Sequence, residues 1–284
     1  MENNITLIGL GAMGSVLGEL LVKNRITLTV WNRTREKANT LISLGANYVP
    51  DIRTAIADSP VILLCVVNYE ASREILSGLD LTGKTIIQLS SGTPADAREM
   101  QNDILARGAA YLDGVILATP PQMGQPSTPI FFSGDEQVFR EQESTLKILA
   151  GHLAYMGPAV GAAAAWDLAI LSTMFGMQFG FLHGARIMEA EGISVGALGN
   201  VTSTLSPVLA EMVQEVGQDI ENSRFDQPLS SLEICAYCFE LLERHATEGG
   251  ITAPFPAFGL EQLNLGRAAG FGKERLSAMI KIMR

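Results

Sequence analysis

Three groups of residues have the types and spacings that do chemistry. The first is Gly9-Leu10-Gly11-Ala12-Met13-Gly14, a GxGxxG that follows an apolar run and opens a segment of helical spacing. In that context the first glycine permits a tight turn, the second lets backbone approach a pyrophosphate, and the third lets helix pack on strand. The helix N-terminus beyond supplies free N–H groups and the positive end of a dipole. The alternative is a glycine-rich turn with no ligand. The second group, Trp31-Asn32-Arg33-Thr34-Arg35 with Lys37, stands where an NAD site wants a carboxylate for the ribose hydroxyl, about 20 positions on. That stretch holds no Asp or Glu before Glu36. A guanidinium forks onto a phosphate and a threonine hydroxyl joins it, whereas a carboxylate repels it. The pattern predicts NADPH (NADP+), with Asn32, Arg33 and Thr34 at the cofactor and Arg35 and Lys37 left open between phosphate and solvent. The third group is a single residue, Asp167, in a segment that is otherwise almost wholly apolar. A charge in such a place is costly unless it is used or paired.

Other reactive types carry less. Cys235 and Cys238 form a CxxC-like pair. A structural zinc needs four ligands and no second pair exists, so no metal is expected. His183 lies sixteen residues after Asp167 on the same predicted helix, too far along the axis at ~1.5 Å per residue to be its direct partner. It reads as a packing histidine.

The elements that must position these groups are legible as two textures. Ile5–Gly9, Leu28–Trp31, Val61–Val67 and Thr85–Leu89 are continuous apolar runs rich in β-branched residues, bounded by Gly, Pro, Asn or Asp. Strands buried on both faces read this way. Helix-like segments alternate with them up to about Gly157, which predicts a parallel, doubly wound Rossmann sheet. Val66, Val67 and Ser91 fall at the carboxyl ends of their strands, where such sheets bind ligands. From Gly161 to about Ala190 the chain has no proline and is apolar nearly all round. A helix of that kind is expected to be buried on every face. Helical segments at 195–221, 229–248 and 256–282 follow, with no strand pattern. The expected α/β architecture is a Rossmann domain over residues 1–158, then a long interdomain helix and an all-α C-terminal bundle over 159–284.

Composition sets the outer limits. The 284 residues include 20 basic and 30 acidic side chains, a net charge of −10, with 47% hydrophobic and 18% charged. The charged share lies below the ~25% usual for soluble chains, so extra surface is expected to be buried, for instance between subunits. An acidic chain offers no clustered cations for nucleic acid or anionic membranes. Three cysteines in so long a chain point to a reducing, cytoplasmic setting. No leader or stretch of ~18 uninterrupted apolar residues is read in it.

Taken with Ser90-Ser-Gly-Thr-Pro94, Asp113-Gly-Val-Ile116, Ala165-Trp-Asp167-Leu-Ala-Ile-Leu171 and Gly180-Phe-Leu-His-Gly184, the loop and the Trp-Asn-Arg-Thr motif resemble the imine reductases. These are a branch of the β-hydroxyacid dehydrogenase and 6-phosphogluconate dehydrogenase superfamily. The resemblance implies NADPH-dependent reduction of C=N bonds in cyclic imines and iminium ions to amines. It also implies a homodimer with interlocked C-terminal domains, each active site lying between the cofactor domain of one subunit and the bundle of the other.

Departures from the hydroxyacid branch bear on the chemistry. Where that branch carries a helix Lys followed by an Asn, this chain has Asp167 and Leu171. A carboxylate attracts an iminium cation that an ammonium would repel. Asp167 is therefore the catalytic candidate, as iminium anchor or as proton donor if its apolar site raises its pKa. The alternative is a carboxylate that only pairs with an Arg or caps a loop. Where the branch has Ser-Gly-Gly for a substrate carboxylate, this chain has Leu117-Ala118-Thr119. With Leu171, Met174 and Phe175 these form the expected substrate pocket. Relatives proficient in full reductive amination tend to carry Asn and Tyr at the positions of Ser91 and Phe175, so imine reduction is expected rather than efficient coupling of free amine and ketone. Two rival readings are a carbonyl or aldehyde reductase on the same fold and a non-catalytic NADPH-binding regulator.

Overall fold

The computed structural model describes residues 4–284; residues 1–3, part of the N-terminal stretch read above, lie outside them. Contacts divide the chain into two units that meet within one helix, at Ser172 and Thr173.

The first unit opens with β1 (Asn4–Ile8), α1 (Ala12–Lys23), β2 (Thr27–Trp31), α2 (Asn39–Ser43), β3 (Asn47–Tyr48), α3 (Ile52–Ala57) and β4 (Val61–Leu64). It continues through α4 (Tyr69–Leu76), β5 (Thr85–Gln88), α5 (Pro94–Ala106), β6 (Ala110–Ile116), β7 (Pro129–Gly134), α6 (Glu136–Leu149) and β8 (His152–Tyr155). Among the described residues these strands make one sheet in the order β3-β2-β1-β4-β5-β6-β7-β8. Alternate residues of one strand feed opposite layers. Leu7, Leu63 and Ile87 join Leu17 and Leu21 in one core cluster, and Ile8, Ile62, Leu64 and Ile86 join Tyr69 and Met100 in the other. Burial on both faces explains the continuous apolar runs. The chain order reverses between β1 and β4, and a doubly wound sheet binds ligands at that crevice.

The sheet departs from the expected all-parallel pattern at one pair, since β6 and β7 run antiparallel. A parallel return needs a crossover of a dozen or more residues, usually helical. The connection here holds only a 3-10 turn, Pro120–Gln122.

A helix, α7 (Ala162–Ala190), runs through the division between the units. Its start is fixed by β7: the Ala163 N–H donates to Ser133 Oγ at 3.0 Å, and Trp166 meets Phe131 edge-on at 5.9 Å. The second unit carries the rest of α7, then α8 (Val195–Glu221), α9 (Leu232–Glu248) and α10 (Pro254–Ala268). Its core is small, built from Leu232, Ala236, Leu263 and Met279, with Gly259 bare to admit the Phe239 ring. The expected helix over 256–282 is two pieces. The chain turns at Gly270 (φ +88°), and a 3-10 turn covers Leu276–Lys281.

The expectation that α7 is buried on every face fails within one chain: Met177 and Phe179 are 60% and 61% exposed. By length and composition α7 is long and apolar enough to cross a membrane, with a mean hydropathy of 1.2 over an 18-residue window that is only 6% buried. Asp167, Gln178 and His183 interrupt the helix, so no ~18-residue run in it is apolar throughout, as the sequence reading expects. Asp167 and His183 are nonetheless buried in protein.

Candidate active site

The carboxyl ends of β1, β2 and β4 open on a cleft of about 440 Å³. It is lined by the whole of Gly9–Gly14, by Asn32, Arg33 and Thr34 beyond β2, and by Val66 and Val67 beyond β4. The last two lie in the loop after β4, which ends at Leu64 rather than Val67.

The three loop glycines have separable reasons. Gly9 adopts φ +97°, and a Cβ there would fall 2.3 Å from the Cys65 carbonyl. At Gly14 it would fall 2.0 Å from the Gly9 carbonyl. Packing thus explains both. A Cβ on Gly11 meets nothing within 4 Å. The protein itself gives no reason for that bareness, whereas close approach of a ligand does. Helix α1 also starts without a side-chain cap and with no acidic residue in its first turn. By contrast α3, α4, α5, α6 and α9 are capped by Asp51, Asn68, Thr93, Asp135 and Ser231. The N–H groups at the start of α1 therefore face the cleft available to an anion. These features fit a dinucleotide.

Lys37, left open in the sequence, lines the same cleft, so three cationic or hydroxyl side chains (Arg33, Thr34, Lys37) share its rim. Arg35 instead lies over the Tyr48 ring, 5.7 Å from its centroid. Ala71 and Ile75, one turn apart on α4, also line the cleft and escaped the sequence reading. Their i, i+4 spacing was the available signal. Ser91 lies elsewhere, in a cavity of about 490 Å³ with Asn68, Tyr69, Arg73 and Asp96.

Asp167 is 6% exposed and makes no hydrogen bond or ion pair among the described residues. Burial pushes its carboxyl above the ordinary carboxylate value. Leu117, Ala118 and Thr119 follow β6, and Thr119 donates from its backbone N–H and its Oγ1 to Gln122 Oε1, at 2.8 and 2.9 Å. Leu171 lies in the first unit, Met174 and Phe175 in the second. None of these six lines the cofactor cleft. His183 is buried against Phe255, 6.0 Å between ring centroids, as a packing histidine would be, and burial lowers its pKa.

Against known proteins, the family described as the NAD binding domain of 6-phosphogluconate dehydrogenase matches residues 4–157. The family described as the NADPH-dependent reductive aminase-like C-terminal domain matches 159–284. An NADPH-dependent reductive aminase of Aspergillus oryzae is 31% identical over 290 aligned positions, spanning 99% of this chain and 97% of that protein. The chain belongs to the imine reductase and reductive aminase family. Among solved family members, the imine reductase of Myxococcus stipitatus with NADP+ superposes with a TM-score of 0.94 at 32% identity, covering 99% of this chain and all of that one. The reductive aminase of Aspergillus terreus, solved with NADPH4, cyclohexanone and allyl amine, matches with a TM-score of 0.94 at 31% identity over the full length of both chains.

Proposed function

We propose that this family member is an NADPH-dependent reductase of C=N bonds, converting cyclic imines or iminium ions to amines. The observation that carries the reading is Asp167, a residue only 6% exposed that forms no ion pair among the described residues, on a helix otherwise almost wholly apolar. A lone buried carboxylate is costly, and a cationic substrate supplies the missing partner. Its raised pKa also suits it to give a proton to an imine that arrives neutral.

The chain's own residues hold the cofactor as follows. Gly9–Gly14 and the uncapped N-terminus of α1 take the pyrophosphate. Arg33, Thr34 and Lys37 take the 2′-phosphate, and Asn32 shapes the turn between the two sites. Val66 and Val67 flank the dinucleotide where it leaves the loop, with Ser91 near its far end. When bound, NADPH supplies the hydride. Leu117, Ala118, Thr119, Leu171, Met174 and Phe175 are assigned as substrate contacts. The NADP-binding domain is assigned to residues 1–158, and the interdomain helix with the dimerisation and substrate domain to 159–284, a division supported by the limits of the two family matches.

The working form is a homodimer. The support lies in the second unit, where α7 and α8 leave an apolar cavity of about 590 Å³ lined by Met177, Phe181, Leu182, Leu198 and Leu209. Around it Met177, Phe179, Leu182, Val201, Leu205 and Met212 are exposed, and contiguous exposed apolar side chains mark interaction surfaces. Three free thiols agree with a cytoplasmic enzyme.

The test is NADPH oxidation with 1-pyrroline or 3,4-dihydroisoquinoline, with a small 2-oxo or 3-oxo acid, and with neither. Turnover of the imines alone supports the proposal. Preference for the oxo acids makes the protein a carbonyl reductase, and NADPH binding without any turnover makes it a regulator.

A further inference from the structure

Asp113 of β6 is wholly buried, in register with Gln88 of β5 on one side and Ser133 of β7 on the other. Its Oδ1 accepts the hydroxyl of Tyr69 and, at 3.2 Å, that of Tyr111. Its Oδ2 is buried with no partner. A buried carboxylate resting on two neutral donors costs stability, so the geometry it imposes on those donors is where its use lies.

Tyr69 is the first residue of α4, directly after the Val66–Asn68 loop. Its ring backs the Ser90–Gly92 turn: a Cβ on Gly92 would fall 2.3 Å from Tyr69 Cδ2 and 2.5 Å from Cε2. Gly92 is not at positive φ, so ring approach and not backbone conformation accounts for the glycine. The same turn is held from the other end. Ser90 Oγ accepts the Val66 N–H at 3.0 Å, and Gln88 Nε2 donates to Ser72 Oγ of α4 at 2.9 Å. Val66 lines the cofactor cleft.

We infer that Tyr69, anchored on Asp113, is a positioning residue for the cofactor: its ring sets the Ser90–Gly92 turn and, through Ser90, the Val66 backbone in the cleft. The inference rests on reading that cleft as the NADPH site. It carries a pH dependence. The groups facing Asp113 are Tyr69 from α4 and Tyr111 from its own strand, with uncharged Gln88 and Ser133 beside it, while Asp96 of α5 acts on Tyr69. Burial raises Asp113 to about 6 against the opposing pull of the two hydroxyls. Below that pH the carboxyl takes a proton and becomes a poorer acceptor, and the turn loosens.

The test is calorimetric titration of the full chain with NADP+ at pH 8 and pH 5.5. Tyr69→Phe removes the hydroxyl and keeps the ring. It is expected to bind about fivefold to tenfold more weakly at pH 8, the scale of one lost hydrogen bond. The gap to wild type should narrow at pH 5.5. The cofactor's own phosphate titrates in this range, but equally for both proteins. Asp113→Asn serves as the second variant, weak at both pH values, with kcat at saturating cofactor held within about twofold of wild type in either variant. Folded variants whose Kd stays within twofold of wild type at both pH values overturn the inference alone. A wild-type chain that binds no NADP+ overturns the cofactor reading and the inference with it.

Discussion

Asn32 at the end of β2 accepts the N–H of Leu10 on its Oδ1 at 2.9 Å and donates from Nδ2 to the Thr34 carbonyl at 2.8 Å. One side chain thus ties the glycine loop to the turn that carries Arg33 and Thr34. Asn32→Ala removes both bonds and leaves the Leu10 N–H without its partner. NADPH affinity is expected to fall about tenfold and stability by ~1–3 kcal/mol, measured by fluorescence titration and thermal melting.

The rim of the cleft should decide between cofactors. Arg33→Ala and Lys37→Ala each remove a charged donor from the position of the 2′-phosphate, a loss of about 1.5–3 kcal/mol, or roughly 10- to 100-fold in KM for NADPH. KM for NADH should stay nearly constant in both variants, because NADH has no phosphate there. Equal losses for both cofactors would move these side chains away from the phosphate.

The glycines separate folding from binding. Gly14→Ala puts a methyl 2.0 Å from the Gly9 carbonyl, a backbone atom that cannot swing aside, so a large loss of melting temperature or of soluble protein is expected. Gly11→Ala meets no protein atom and should fold normally. It should nonetheless lose cofactor affinity, because the methyl stands where the pyrophosphate approaches. Normal affinity in a folded Gly11→Ala would place the phosphates elsewhere.

Asp167→Asn and Asp167→Ala should keep NADPH binding and lose most of kcat. Their stability has a predictable sign. The carboxyl pKa is raised in the folded state, so that state binds the proton more tightly than the unfolded chain. Stability therefore falls as pH rises from the ordinary carboxylate value through the folded one, and stays lower above it. Asp167→Asn removes that penalty and should melt at a higher temperature than wild type at pH 8, with the two curves converging in acid.

Much of this was readable in the chain. Strands β1, β2, β4 and β5 announce themselves because both faces are buried, and α7 because it runs without proline between Gly161 and Gly192. The reversal at β7 was not readable, since strand direction is encoded in the missing helix between β6 and β7 rather than in any periodicity. Neither was the tie between Tyr69 and Asp113, 44 residues apart in sequence and joined only by the sheet order. Lys37 stayed open for a local reason. It sits in the 3-10 turn Arg35–Ala38, whose tighter winding is not legible in four residues, while its neighbour Arg35 turns to Tyr48.

With the bare faces of α7 and α8 as its seam, the proposed homodimer makes stability a matter of mass action. A second unit whose main core cluster is Leu232, Ala236, Leu263 and Met279, and whose apolar helices are left open, would gain further burial in the proposed homodimer. For such a protein the melting temperature belongs to the solution rather than to the molecule. It should climb with protein concentration, and dilution alone should weaken the fold before any denaturant is added.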